Sequence, residues 1–225
     1  MGWKVKKNVY IAVSTDPVSS YQDVVEYAKS MQDKADFLHC DIMDGKFVEK
    51  ATYDFALVKN VNANSLIPLD VHLMVLEPSK QIQKYIDAGA NIITLHYEAF
   101  EDKQQLVEAI DLIKKQNVLV GISLKPETPF KEIRTYCFNI DLILVMSVEP
   151  GLSGQKFLNS AYNKIKEIAD FREENKLNFK IEVDGGVNDE NANVITDLGA
   201  DILVSGSYVY KSPDRLKAIE KLKGN

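Results

Sequence analysis

A histidine and an aspartate stand two residues apart in Phe37-Leu38-His39-Cys40-Asp41-Ile42-Met43-Asp44-Gly45. The segment reads as a strand running into a loop, and residues i and i+2 of a strand project to the same face. His39 and Asp41 therefore point the same way, as a metal-ligand pair or a base with its partner requires. A half-buried strand with a polar face has the same spacing. The chain holds three histidines in all. His39 falls late in its apolar run, His72 late in the next run at 69–75, and His96 at the end of the run at 91–96. Asp184 stands just past another run, in Val183-Asp184-Gly185-Gly186-Val187-Asn188, where it either serves a site or caps the next helix. Together His39, Asp41, His72 and Asp184 make a two-imidazole, two-carboxylate set. Such a set suits one divalent ion: zinc, iron, manganese or cobalt. His96-Tyr97-Glu98 lies one strand further on, as outer support for the set or as plain structure.

Two glycine-bearing turns follow apolar runs near the end of the chain, Asp184-Gly185-Gly186 and Ser205-Gly206-Ser207. Glycine lets backbone amides approach an anion closely, so the pair suits a phosphate. The segment Glu149-Pro150-Gly151-Leu152-Ser153-Gly154-Gln155-Lys156-Phe157 precedes them, as a lid, a third side of a phosphate cradle or a flexible connection. Met43, Met74 and Met146 each sit near a strand end, either as core or as a soft, dry wall around a reacting centre.

Elements able to place these residues are legible as periodicity. Short continuous apolar runs mark strands at 9–14, 37–42, 69–75, 91–96, 118–124, 141–146, 179–183 and 201–205. Continuous runs are the habit of parallel strands buried on both faces. Helices are expected between them: a stripe of Val24, Val25, Tyr27, Ala28 and Met31 after the caps Ser19 and Ser20, then a short one around Phe55 to Val61. Others are expected at 77–88, 102–116, 130–136, 160–175, 191–198 and from Ser212-Pro213-Asp214 to Leu222. Alternation of this kind permits a closed barrel or an open doubly wound sheet. Eight strands in 225 residues favour the α/β barrel, for which about 200 to 400 residues is the usual span. Ser14-Thr15-Asp16-Pro17 after the first strand is no dinucleotide-binding glycine loop. With no linker or low-complexity tract, residues 1–225 read as a single domain, with strands two and seven on opposite sides of the barrel.

A net charge of -6 argues against nucleic acid or an anionic membrane surface as partner, but leaves room for a phosphorylated small molecule in a nest of amides. Two cysteines in unrelated contexts fit a reducing cytoplasm. The stretch Met1–Lys7 carries lysines with no apolar region after it, so no signal peptide is expected.

The ordered segments Ala12-Val13-Ser14, His39 to Val48, Asp70 to Val75, Val145 to Phe157, Glu182 to Asn188 and Val204 to Ser207 resemble the ribulose-phosphate 3-epimerase family. The resemblance covers nearly the whole chain. It implies a single-domain (β/α)8 TIM barrel of the ribulose-phosphate-binding type, with His39, Asp41, His72 and Asp184 on one divalent metal ion. Asp41 and Asp184 would be the acid/base pair that interconverts ribulose 5-phosphate and xylulose 5-phosphate through an enediolate. Substrate would touch Ser14, His72, Gly151, Leu152, Ser153, Gly154, Gly185, Gly186, Gly206 and Ser207, with Met43, Met74 and Met146 lining the centre. The expected partners are a phosphorylated ketose and further copies of the chain.

Three stretches depart from the family's common pattern. Thr15 to Ser20 replaces Ile-Leu-Ser-Ala-Asp-Phe, Glu49-Lys50 replaces Pro-Asn, and Gly151-Leu152-Ser153-Gly154 replaces Gly-Phe-Gly-Gly. None removes a ligand or catalytic carboxylate. Allulose-6-phosphate 3-epimerase is similar, with the same catalytic set. A phosphate-substrate decarboxylase would show Asp-x-Lys-x-x-Asp, whereas Asp41-Ile42-Met43-Asp44 has no lysine. A non-catalytic phosphate-binding barrel would have no need of both Asp41 and Asp184.

Overall fold

The computed structural model describes residues 9–152 and 154–224, so Ser153 and the Met1–Lys7 stretch lie outside the described residues. Parallel strands close into a barrel in chain order: β1 (Tyr10–Ser14), β2 (Phe37–Met43), β3 (Leu69–Met74), β4 (Ile92–His96), β5 (Leu119–Leu124), β6 (Leu142–Met146), β7 (Lys180–Asp184) and β8 (Ile202–Ser205). Helices α1 (Tyr21–Met31), α2 (Phe55–Asn64), α3 (Ile82–Asp87), α4 (Lys103–Lys115), α5 (Ser160–Glu174), α6 (Ala192–Asp197), α7 (Ser207–Tyr210) and α8 (Arg215–Leu222) cover the outside. No helix among the described residues is long and apolar enough to cross a membrane.

Period-two alternation divides each strand between two environments. Outward residues such as Ile11, Val13, Leu38, Leu73, Ile93 and Val183 merge with the helix stripes into one core cluster. Ala12, Ile92, Leu142, Leu144, Met146, Ile202 and Val204 form a second cluster, which fills part of the barrel interior. The remaining interior is polar and buried: His39, Asp41, Asp70, His72, Thr94, His96, Ser123 and Glu182. Register places these groups side by side, with His39 beside Asp70, Asp41 beside His72, and Asp184 between Met146 and Val204. A slip of one residue would turn every one of them outward.

Caps fix the helix starts. Ser20 accepts from the Asp23 amide at 3.1 Å, and Asp54, Asp102 and Asp214 cap α2, α4 and α8 in the same way. Four expectations need correction. The helix expected at 130–136 is two 3-10 turns, Phe130–Ile133 and Tyr136–Phe138, because Phe130 and Ile133, three apart, are the pair that buries. The helix expected from Glu77 is a 3-10 turn at Pro78–Lys80 followed by α3, with Gln81 at φ -117 between them. Helix α7 arises within what read as a turn. Finally, β2 and β7 are separated by β1 and β8 only, so they stand three strands apart, one short of diametric.

At the amino-terminal end of β7 and β8, Arg172 of α5 clamps both strands. It donates to the Phe179 and Gly199 carbonyls at 3.0 Å each and pairs with Asp201, whose Oδ2 also accepts the Ile181 amide. This joint holds the two strands whose far ends carry Asp184 and Gly206. Arg172→Met removes this cation from Asp201 together with both carbonyl bonds, so unfolding in urea should show a loss of about 3 kcal/mol, the low end for a buried pair broken from one side. A loss below about 0.5 kcal/mol, the scale of ordinary surface changes, would contradict the clamp.

Candidate active site

Four side chains from β2, β3 and β7 converge where the polar interior opens to the carboxyl ends of the strands. One ligand atom from each of His39, Asp41, His72 and Asp184 lies within 4.8 Å of all the others. His39 Nε2 is 3.3 Å from His72 Nδ1, and Asp41 Oδ1 is 3.5 Å from the first and 3.4 Å from the second. Donors about 2.0–2.2 Å from one ion are separated by about 3.0 to 3.4 Å, so the spacing and the mixed imidazole–carboxylate chemistry fit one divalent cation. A second group, His39, Asp70 and Glu182, also converges, but His39 Nδ1 and Asp70 Oδ2 are 2.5 Å apart. That separation is a hydrogen bond and leaves no room for an ion between them.

Support around the set is directional. Asp70 accepts the His39 Nδ1 proton, so the proton that His39 must release to offer a lone pair to a cation is the one on Nε2, the nitrogen that faces the site. Ser14 donates to Asp41 Oδ2 at 2.6 Å, and Thr15 Oγ1 accepts the Asp41 amide. On the other side, His72 Nε2 meets His96 Nε2 at 2.9 Å, and His96 Nδ1 meets Glu98 Oε2 at 3.2 Å. Ser147 bonds the Asp184 and Gly185 carbonyls, holding the end of β7.

Electrostatics separates the two site carboxyls. Burial opposes ionisation of Asp41, but His39 and His72 outweigh it and hold the carboxyl well below its usual range. Burial, then the Asp41 carboxylate, pushes Asp184 up to about 7. Burial draws His72 down to about 4, against its hydrogen bond with Asp41. Burial, then Asp70, pushes Glu182 well above the carboxyl range and so holds it neutral. Burial works against Glu98 as well, yet hydrogen bonds from His96, Thr128 and the Lys125 amide bring it to about 2.

Above the set, a cavity is lined by Ser14, Asp41, Met43, Met74, Met146, Asp184, Gly185, Gly186, Gly206, Ser207, Gly151, Leu152 and Gly154. Gly185 and Gly186 turn at φ +121 and +66. A side chain at Gly186 would lie 2.6 Å from the Phe157 amide nitrogen, so this turn and the 149–157 loop close against each other through glycine alone. Asn191 donates to the Gly186 carbonyl at 3.0 Å and fixes the turn from behind.

A family model described as the ribulose-phosphate 3 epimerase family matches residues 10–210. Among curated proteins, the ribulose-phosphate 3-epimerase of Bacillus subtilis is 44% identical over 192 residues, 85% of this chain and 87% of that one. The Helicobacter pylori (strain J99) ribulose-phosphate 3-epimerase is 37% identical over 202 residues, 89% of this chain and 92% of its own. The chain belongs to the ribulose-phosphate 3-epimerase family. Solved structures extend the likeness of fold alone. A 3-keto-L-gulonate-6-phosphate decarboxylase from Vibrio cholerae superposes with TM-score 0.71 at 11% identity, covering 97% of each chain. A 3-hexulose-6-phosphate synthase gives 0.68 at 16% identity, covering 96% of this chain and 99% of that one.

The four residues whose spacing suggested a metal site are thus brought together here. Asp184 is the last residue of β7, not a residue beyond it. Ser14 lines the cavity as expected, but its hydroxyl proton is given to Asp41 and its oxygen also accepts the Asp16 amide at 3.0 Å. His72 lies under the cavity rather than on its wall, fully buried. Leu152 is exposed at the rim. Residues that escaped the sequence reading are Asp70, Glu182, Ser147 and Asp16. Asp70 had a usable signal, since it precedes His72 by two and shares its face. Asp16 lines the cavity and pairs with Lys50, which joins two of the stretches where the chain departs from the family's common pattern.

Because the Asp184 carboxyl titrates at about 7, protons compete with a cation for it. Zinc affinity should fall as the solution is acidified below that point. Calorimetric or competition titrations in a pH series test this, and an affinity constant between about pH 5 and 8 would contradict it.

Proposed function

We propose that the chain interconverts ribulose 5-phosphate and xylulose 5-phosphate by inverting C3 of the ketose. In this reading Asp41 and Asp184 are the acid/base pair, and His39, Asp41, His72 and Asp184 hold one divalent cation. The observation that carries it is a pair of carboxyls, buried Asp41 driven toward ionisation and half-buried Asp184 poised at about 7, sharing a ligand set under a glycine-walled cavity.

The hydrogen on C3 is weakly acidic because it neighbours a carbonyl. A bound divalent cation supplies Lewis-acid stabilisation of the negative charge that develops as that hydrogen leaves. One aspartate removes the proton on one face, and the other returns a proton to the opposite face. Ser14 keeps Asp41 oriented through Oδ2, leaving Oδ1 toward the site. Buried Met43, Met74 and Met146 exclude water that would protonate the intermediate without facial control. The turns at Gly185-Gly186 and Gly206-Ser207, with the loop at 151–154, take the phosphate. Buried Cys40 and Cys137 carry free thiols, which supports a reducing compartment such as the cytoplasm.

Turnover in heavy water tests the acid/base pair. Product should carry solvent deuterium at C3. Asp41→Asn and Asp184→Asn should each lose epimerisation by more than about 10²-fold. In metal-loaded samples each variant should still exchange the C3 proton of one epimer, and the two should have opposite preferences. Exchange of the same epimer by both would contradict one base per face. A second assay addresses the phosphate. Gly186→Val should lower kcat/KM for the sugar phosphate toward the value for unphosphorylated ribulose, because remote binding energy is lost. Equal turnover of the two sugars by the parent protein would remove the role given to these turns.

A further inference from the structure

Proton counting outside the ligand set leads further, and it rests on the proposed cation site. His72 Nε2 and His96 Nε2 are 2.9 Å apart, so one of these nitrogens carries a proton and the other accepts it. Which one is decided at the far end of the chain of contacts. Glu98 Oε1 takes the Lys125 amide at 2.8 Å and the Thr128 hydroxyl, and Oε2 faces His96 Nδ1. A carboxylate with two donors already on one oxygen can only accept on the other, so His96 carries its proton on Nδ1. Its Nε2 then holds a lone pair, and His72 must donate to it from Nε2. That leaves the lone pair of His72 on Nδ1, the nitrogen that stands 3.3 Å from His39 Nε2 and 3.4 Å from Asp41 Oδ1.

We propose that His96 and Glu98 are positioning residues, a proton-ordered relay that locks His72 in the one tautomer able to offer Nδ1 to a divalent cation. The same task falls to Asp70 on the other side of the site, where a single carboxylate sets His39 directly. The relay is longer because Glu98 stands in the connection after β4, in a 3-10 turn at Tyr97–Ala99, with His96 bridging the gap to β3. All three histidine side chains are fully buried, and no bulk water competes for these bonds.

Two substitutions separate this role from simple packing. Glu98→Gln keeps shape but reverses the order of protons. The Lys125 amide and the Thr128 hydroxyl hold the glutamine oxygen, so its NH2 faces His96 Nδ1. His96 then carries its proton on Nε2, and His72 must take its own on Nδ1, covering the lone pair. His96→Gln changes shape but preserves the order, because its carbonyl accepts from His72 and its NH2 donates to Glu98. Zinc affinity should therefore fall about 10- to 100-fold in Glu98→Gln, the scale for lost outer support of a metal ligand, and fall less in His96→Gln. The reverse ranking, or zinc affinity in Glu98→Gln equal to the parent's, overturns the relay.

The three histidines also allow a direct readout by ¹⁵N NMR of histidine-labelled, zinc-loaded parent protein. His72 should be metallated at Nδ1 with its proton on Nε2, and His96 should carry its proton on Nδ1. Zinc bound through His39 and His72 with the His96 proton on Nε2 overturns the relay while leaving the cation site intact. Zinc that perturbs neither His39 nor His72 overturns the cation site and the relay together.

Discussion

Two imidazoles and two carboxyls pressed together at the mouth of a barrel, three of them buried and Asp184 half-buried, are the constraint around which this molecule is arranged. Without a cation the groups can settle only by moving protons among themselves. This is why Asp41 and Asp184, alike in chemistry, are driven apart in ionisation. Charge of one sign in a medium of low polarity is costly, and the interior answers with directed hydrogen bonds. Ser14 holds one oxygen of Asp41, Asp70 holds His39, and the neutral Glu182 carboxyl lies beyond Asp70. Remove the direction of any of these and the lone pairs no longer point at a common place.

The barrel supplies that direction through register. Parallel pairing sets Asp41 beside His72 and His39 beside Asp70, so a ligand and its support alternate across two strands. Asp184 reaches the site from β7, the strand that Arg172 ties to β8 from below. Just past Asp184 the chain turns through Gly185 and Gly186, close against the backbone at 155–157. The proposed acid/base carboxyl and the proposed phosphate-binding turn are therefore consecutive residues of one strand and its turn. A shift in β7 would displace both together.

Much of this was legible as spacing. The i, i+2 pair in β2 and the histidine in β3 are visible because strand periodicity fixes the side to which a residue points, and the continuous apolar runs located every strand to within about two residues. Less visible were groups whose role depends on a neighbour in space. Asp70 and Glu182 sit within apolar runs and read as exceptions to burial until β3 and β7 are brought to the same interior. Glu98 stands two residues after His96, but the proton order of the pair depends on the contacts of Glu98 with Lys125 and Thr128, about thirty residues away. Helix type is not legible where local signals fit two periods. A proline start at Pro78 permits a 3-10 turn as well as an α-helix, and the pair Phe130 and Ile133 suits the tighter period.

The most direct test of the central claim is a crystal structure of zinc-loaded protein with anomalous data at the metal edge. The ion should lie within about 2.0–2.2 Å of His39 Nε2, His72 Nδ1 and an oxygen of each of Asp41 and Asp184. An ion bound instead through His39 Nδ1, between Asp70 and Glu182, would contradict the account.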